Sequence, residues 1–147
     1  MDTEGFVVRP ATWPGDAAAL RSVREAVFVR EQGVAAEQEW DGEDAAAWHW
    51  LAEDAAGRPI GTARLLRTGQ VGRMAVLAAW RRRGVGGALL RAVLRAAPRH
   101  GAAALWLNAQ CSAEPFYARA GFAPEGPVFV EAGIPHRRMR QLEEGGR

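Results

Sequence analysis

An apolar run, Val71, Met74, Ala75, Val76 and Leu77, leads through Arg81-Arg82-Arg83-Gly84-Val85-Gly86-Gly87 into a stretch of helical periodicity, and this junction constrains the chain more than any other part. Leu89, Leu90, Val93 and Leu94 share one face at helical spacing, while Arg91, Arg95 and Arg99 fall largely on the other. The pattern predicts a strand, a turn and an amphipathic helix packed on a sheet. Gly84, Gly86 and Gly87 carry no Cβ to keep a ligand off the backbone, so successive N–H groups at a helix start can converge on one anion. The helix dipole favours negative charge at that spot, and the arginines before the turn add forked donors shaped for phosphate oxygens. The fitting guest is a phosphate or pyrophosphate.

Two familiar phosphate-binding turns make demands that this one does not meet. A P-loop places Lys beside its last glycine, and all 19 Lys+Arg residues of this chain are arginine. A dinucleotide-binding turn needs a third glycine where Leu89 stands and an acidic residue about 20 positions further on, where Leu105 to Asn108 offers none. The turn does match the pattern Arg/Gln-x-x-Gly-x-Gly/Ala, as Arg81-Arg82-Arg83-Gly84-Val85-Gly86.

The remainder of the chain predicts a single soluble domain over residues 1–142 with a short tail at 143–147. Its 147 residues are 48% hydrophobic and 24% charged, enough for one core and too apolar for wholesale disorder. A net charge of +2, with arginines gathered at 81–83 and 137–140, argues for a local anion site rather than a nucleic-acid surface. No apolar stretch approaches the roughly 18 residues of a membrane span, the start is acidic, and Cys111 is a lone cysteine; a cytoplasmic protein is expected.

Taken in order, Phe6-Val7-Val8 predicts a first strand, and Leu20, Val23, Val27 and Phe28 predict one helix beginning near Asp16 and ending at Gly33. The acid-rich segment to Asp44 reads as loop and short second helix. Ala47 to Glu53 and Ile60 to Leu66 predict a hairpin, followed by the strand at Val71 to Val76 and the glycine-led helix, which Pro98 and Gly101 end. Ala104 to Leu107 reads as a buried strand reached by a parallel crossover. A helix capped by Ser112 runs to Ala120, and Val128 to Val130 pairs with Arg138 to Arg140 in a last hairpin. The fold class is α/β, a mixed sheet flanked by helices on both faces.

This order, β-α-α-β-β-β-α-β-α-β-β, resembles the GCN5-related N-acetyltransferase (GNAT) family over nearly the whole chain. The Arg81–Gly86 turn looks like that family's coenzyme A pyrophosphate loop. Gln110-Cys111-Ser112-Ala113-Glu114-Pro115-Phe116-Tyr117, followed by Gly121-Phe122, is similar to the family's Asn-x-x-Ala-x-x-Phe-Tyr…Gly-Phe segment, with Gln110 in place of Asn. Val27 to Gly33 and Gly133-Ile134-Pro135-His136 resemble the ElaA/YjcF-like branch. The resemblance implies acetyl-CoA lying between the strand ending at Val76 and the strand ending near Asn108, whose ends splay apart. It implies that Met74, Ala75 and Val76 hold the pantetheine, helped by Asn108 and Gln110, with the Val76 N–H facing the thioester oxygen. Arg81, Arg82, Arg83, Gly84, Val85, Gly86 and Gly87 would hold the pyrophosphate. Tyr117, the only tyrosine, would stand near the sulfur as general acid.

Acyl transfer to an amine asks for a proton to leave an ammonium of pKa near 10 and for one to reach the departing thiolate. A phenol is protonated at neutral pH and suits the second task. For the first, Glu31, Glu37, Glu39 and Asp41 are candidate bases, as are His49 and His136, imidazole being the side chain that titrates near neutrality. The residues leave the choice open. The acids between 37 and 44 suggest a cationic amine, with Trp40, Trp48 and Trp50 available to line its pocket. No metal is expected, since His49, His100 and His136 lack ligand spacing, and Cys111 reads as a small residue at a strand-to-helix junction rather than a nucleophile. The reading is an acetyl-CoA-dependent N-acetyltransferase acting on a small-molecule or peptide amine in a ternary complex, as monomer or homodimer, with no nucleic-acid or membrane partner. A non-catalytic acyl-CoA-binding sensor, which would not need Tyr117, is the alternative.

Overall fold

A computed structural model describes residues 5–102 and 104–142, so the tail expected at 143–147 lies outside the described residues. The chain forms β1 (Phe6–Ala11), α1 (Ala17–Arg24), α2 (Ala36–Glu39), β2 (Trp48–Asp54), β3 (Pro59–Leu65), β4 (Val71–Val76), α3 (Val85–Ala96), β5 (Trp106–Gln110), α4 (Glu114–Arg119), β6 (Phe122–Glu131) and β7 (Ile134–Gln141). Two sheets result, one in the order β1-β2-β3-β4 and one in the order β5-β7-β6. Among the described residues they are joined by one isolated parallel bridge, Gln70 to Trp106, beyond which β4 and β5 diverge. The expected parallel crossover is therefore real only at its root. Its opening is where the cavities form.

Leu89 and Val93 of α3 are fully buried and Leu90 nearly so, in one core with Trp50, Ala63, Leu65 and Leu107. Each such side chain contributes about 1.5–3 kcal/mol by leaving water. Gly61 on β3 allows the close approach, because a Cβ there would stand 2.9 Å from Leu89 Cδ1 and 3.0 Å from Val85 Cγ1. The opposite face of β3 sends Arg64 toward Asp41 and Asp44, in the segment that follows α1 and α2. A strand alternates its side chains between faces, so one sheet serves an apolar layer and a charged one.

Several boundaries differ from expectation, each for a local reason. Asp16 precedes α1, but Arg9 takes both its oxygens at 3.0 and 3.2 Å, and no side-chain cap forms. After Arg24 the helix widens into a π-helical segment, Glu25–Glu31, with Gln32 N–H donating to Val27 O at 3.0 Å. Ser112 does not cap α4: a 3-10 turn, Cys111–Ala113, precedes the helix, whose first residues include Pro115. The strand expected at Ala104–Leu107 begins at Trp106 and runs to Gln110. Val128 and Val130 pair with Arg137 and Pro135 rather than with Arg138–Arg140, because β7 turns back at Gly133 (φ +77°). Arg138 and Arg140 instead lie opposite Asn108 and Trp106 of β5.

Candidate active site

The glycine turn is built as its composition dictates. Gly84 sits at the N-cap of α3 with φ +86°, a left-handed conformation that favours glycine, and α3 starts at Val85. The N-terminus of this twelve-residue helix opens into a cavity of about 840 Å³. Arg81, Arg82, Gly84, Val85, Gly86 and Gly87 line it together with Met74, Ala75 and Val76. Arg91 and Arg119 add positive charge to the wall, while Val27, Leu90, Leu94 and Phe116 supply apolar surface. Phosphates at the arginines and helix end, and an uncharged arm along the apolar wall, fit this donor set.

A β-bulge shapes the inner end of the cavity. Thr62 lies opposite Ala75 and Arg64 opposite Gly72, so β4 spends three residues where β3 spends two. Arg73 takes φ +47° at the bulge, and Thr62 Oγ1 donates to its carbonyl at 2.8 Å. Met74, next in the chain, reaches a second cavity of about 240 Å³ as well as the first. Gln32, Ala113 and Tyr117 are likewise shared by both. Two cavities thus meet at one point in the splay between β4 and β5.

Tyr117 stands at that meeting point, packed edge-on against Phe116 and Phe122 at 5.0 and 6.2 Å between ring centroids. Burial pushes its phenol up to about 12, so it carries its proton throughout the neutral range.

Of the candidate bases, Glu39 and His136 line the second cavity. Glu31 is held by Arg81 in a two-fold pair at 2.6 Å, and Arg81 Nε also donates to the Val76 carbonyl at 2.9 Å. The Arg81 hydrogen bonds hold the Glu31 carboxyl below its ordinary value. Glu37 and Asp41 line neither cavity. His49 is buried behind the sheet, stacked on Trp13 and bonded through Nε2 to Asp44 O at 2.9 Å; burial lowers its pKa.

Of the acids from 37 to 44, Glu39 lines the small cavity, and Glu39, Asp41 and Asp44 are drawn into an arginine network. Arg24 pairs with Glu39 and Asp44 at 2.8 Å, Arg64 with Asp41 and Asp44 at 3.0 Å, and Arg73 with Glu39 and Asp41 at 3.0 Å. Three arginines balance three acids. Burial pushes the Glu39 carboxyl up against the pull of Arg73 and Arg24. Burial also opposes ionisation of Asp41, yet Arg64, the Glu43 N–H and Arg73 bring it down to about 2. Asp44 is lowered likewise, burial being outweighed by Arg24 and Arg64. The tryptophans are spent elsewhere: Trp50 in the core, Trp48 between Arg67 and His100, Trp40 beneath Arg21 and Arg24.

This network makes stability acid-sensitive. A carboxyl with a depressed folded-state pKa binds its proton less readily than in the unfolded chain, so its contribution is present above the unfolded value of 3.8 and is lost as pH falls through about 2. Urea midpoints measured at pH 7, 4, 3 and 2 should fall mainly below pH 4. Asp41→Asn should flatten that fall; an unchanged slope rejects the assignment.

Other expected site residues stand apart. Arg83 stacks on Trp80 at 4.4 Å instead of lining the large cavity. Asn108 and Gln110 line the small cavity rather than the large one, and Gln110 Nε2 donates to Gln32 Oε1 at 2.9 Å, with the reciprocal bond at 3.4 Å. Cys111 lines neither cavity, and desolvation and Glu114 raise its thiol. Gln32, Arg91 and Arg119 are cavity residues that the sequence did not single out. Arg91 carried a signal, being one turn past the glycines.

The two cavities open at the splay between β4 and β5, with a glycine-led helix behind the opening. The pattern of the family described as "Acetyltransferase (GNAT) domain" matches residues 17–143, and the chain belongs to that family. Among particular relatives, YjcF of Bacillus subtilis, described as an uncharacterized N-acetyltransferase, is 40% identical over 121 residues, covering 80% of this chain and 86% of YjcF. Escherichia coli ElaA superposes with a TM-score of 0.83 at 28% identity, covering 93% of this chain and 99% of ElaA. An acyl-CoA N-acyltransferase from Pseudomonas aeruginosa does so with a TM-score of 0.81 at 30% identity, again covering 93% and 99%.

Proposed function

We propose that the protein is an acetyl-CoA-dependent N-acetyltransferase that delivers the acetyl group to a primary amine by direct transfer in a ternary complex. The observation that carries this reading is that a large arginine-rimmed cavity and a small polar one meet at Met74 and Tyr117. Donor and acceptor can then approach from opposite sides of the splay without a covalent enzyme intermediate. Acetyl-CoA supplies a thioester carbonyl carbon open to attack by an amine.

The chain's part is to bind, orient and move protons. Arg81, Arg82 and the N–H groups from Gly84 to Gly87 hold the phosphates, and Met74 to Val76 align the arm along β4. The Val76 N–H is the donor assigned to the thioester oxygen. Tyr117 gives its proton to the sulfur as the C–S bond breaks. Much of the rate comes from positioning, and acid catalysis adds about 10²–10⁴-fold.

Calorimetric binding of acetyl-CoA, paired with thiol release in the presence of polyamines, amino acids, aminoglycosides and peptides, tests the proposal. Binding together with acceptor-dependent release is the expected result. Binding with no release from any acceptor favours the sensor reading, and absence of acetyl-CoA binding overturns the proposal.

A further inference from the structure

We infer that His136 is the base that takes the proton from the acceptor amine, an assignment that rests on the acyltransfer reading above. His136 lies on β7 opposite Gln110 of β5 and Phe129 of β6, 9% exposed, stacked on Phe129 at 5.9 Å between centroids. Its Nδ1 is 2.7 Å from the carbonyl oxygen of Ile134. A carbonyl only accepts, so Nδ1 carries the hydrogen and Nε2 of the neutral ring keeps a lone pair. Among the described residues Nε2 has no hydrogen-bond partner. The His136 side chain lines the small cavity and not the large one, whereas Tyr117 lines both.

That division matches the two proton movements. The proton to be removed sits on the acceptor nitrogen, in the small cavity; the proton to be supplied goes to sulfur, at the junction. Nε2 takes one proton from the ammonium, leaving nitrogen the electron pair that forms the new C–N bond. The C–S bond breaks with its pair leaving on sulfur, which Tyr117 protonates. The phenol regains a proton from the same nitrogen, and His136 releases its own to solvent, so atoms and charge balance.

The rival in the same cavity is Glu39. Its Oε2 already receives Arg24 Nε at 2.8 Å and lies 3.0 Å from Arg73 Nε. Burial raises this carboxyl, but a proton placed on Oε2 would displace the buried Arg24 guanidinium from its ion pair, whereas His136 Nε2 gives up no partner in taking one. Groups facing His136 across the cavity are Glu39 from α2, Arg73 from β4, Tyr117 from α4 and Glu131 from β6, with the uncharged Gln110 from β5 beside it.

His136→Gln keeps a polar side chain but cannot serve as a base. With the acceptor that gives the most thiol release, turnover at pH 7 should fall about 100-fold while acetyl-CoA affinity stays within about twofold. The deficit should shrink about tenfold per pH unit and close near about pH 9, because the free-amine fraction then grows without help. Nitrogen-15 NMR of the ligand-free protein should place the hydrogen of neutral His136 on Nδ1. A hydrogen on Nε2 overturns the assignment with or without a known acceptor, as do pH profiles that run parallel in wild type and variant. Failure of the wild-type protein to bind acetyl-CoA overturns the proposed function instead.

Discussion

Tyr117→Phe should lower acceptor-dependent thiol release by about 10²-fold or more while changing acetyl-CoA affinity by less than about twofold. The two side chains differ by one hydroxyl, and the ring packs against Phe116 and Phe122, contacts that phenylalanine keeps. What disappears is the hydroxyl proposed as proton donor, at the point where the cavities meet. Without it the thiolate must depart unassisted or take its proton from water, and the barrier rises by about 1.4 kcal/mol for each tenfold loss. The phenol, pushed up to about 12 by burial, is also a group whose removal should not shift the neutral-range pH profile. Steady-state kinetics beside calorimetry decides the matter. Turnover within threefold of wild type means that Tyr117 is packing and not chemistry.

Arg24→Met should lower stability by about 3–5 kcal/mol, the cost of breaking a buried ion pair from one side. Arg24 is 1% exposed and joins Glu39 to Asp44 through Nε and Nη1, both at 2.8 Å. Methionine roughly fills the space but leaves two buried carboxylates with fewer cations among them. For a chain of this size the melting temperature should fall on the order of 10 °C. Adding Glu39→Gln should recover part of the loss, since Asp41 and Asp44 are then matched by Arg64 and Arg73 and a neutral amide tolerates burial better than an unpaired charge. Thermal unfolding of the single and double variants checks both expectations, and a loss under about 1 kcal/mol for the single variant means that the buried pair does not stabilise the fold.

The same network explains why the acidic segment misled a reading by composition. Glu39, Asp41 and Asp44 look like a wall for a cationic substrate, but their partners Arg64 and Arg73 come from β3 and β4, at least 20 positions later. Composition registers the acids and not the arginines folded onto them. Gln32 shows the same limit: its reciprocal amide bonds to Gln110 span 78 residues, a distance at which spacing carries no signal.

By itself the sequence determined the elements whose cause is local. The glycines and arginines from 81 to 87 and the apolar face of α3 declared a glycine-led helix start and the helix behind it, because periodicity and backbone permissiveness act over a few residues. Only the tertiary structure decided that Glu39 and His136, of the base candidates, line the small cavity, and that among the described residues the crossover strands are joined by one isolated bridge, Gln70 to Trp106, before parting. Those outcomes depend on the bulge at Arg73 and on the register that sets His136 beside Gln110, and register is fixed by burial across strands rather than along them.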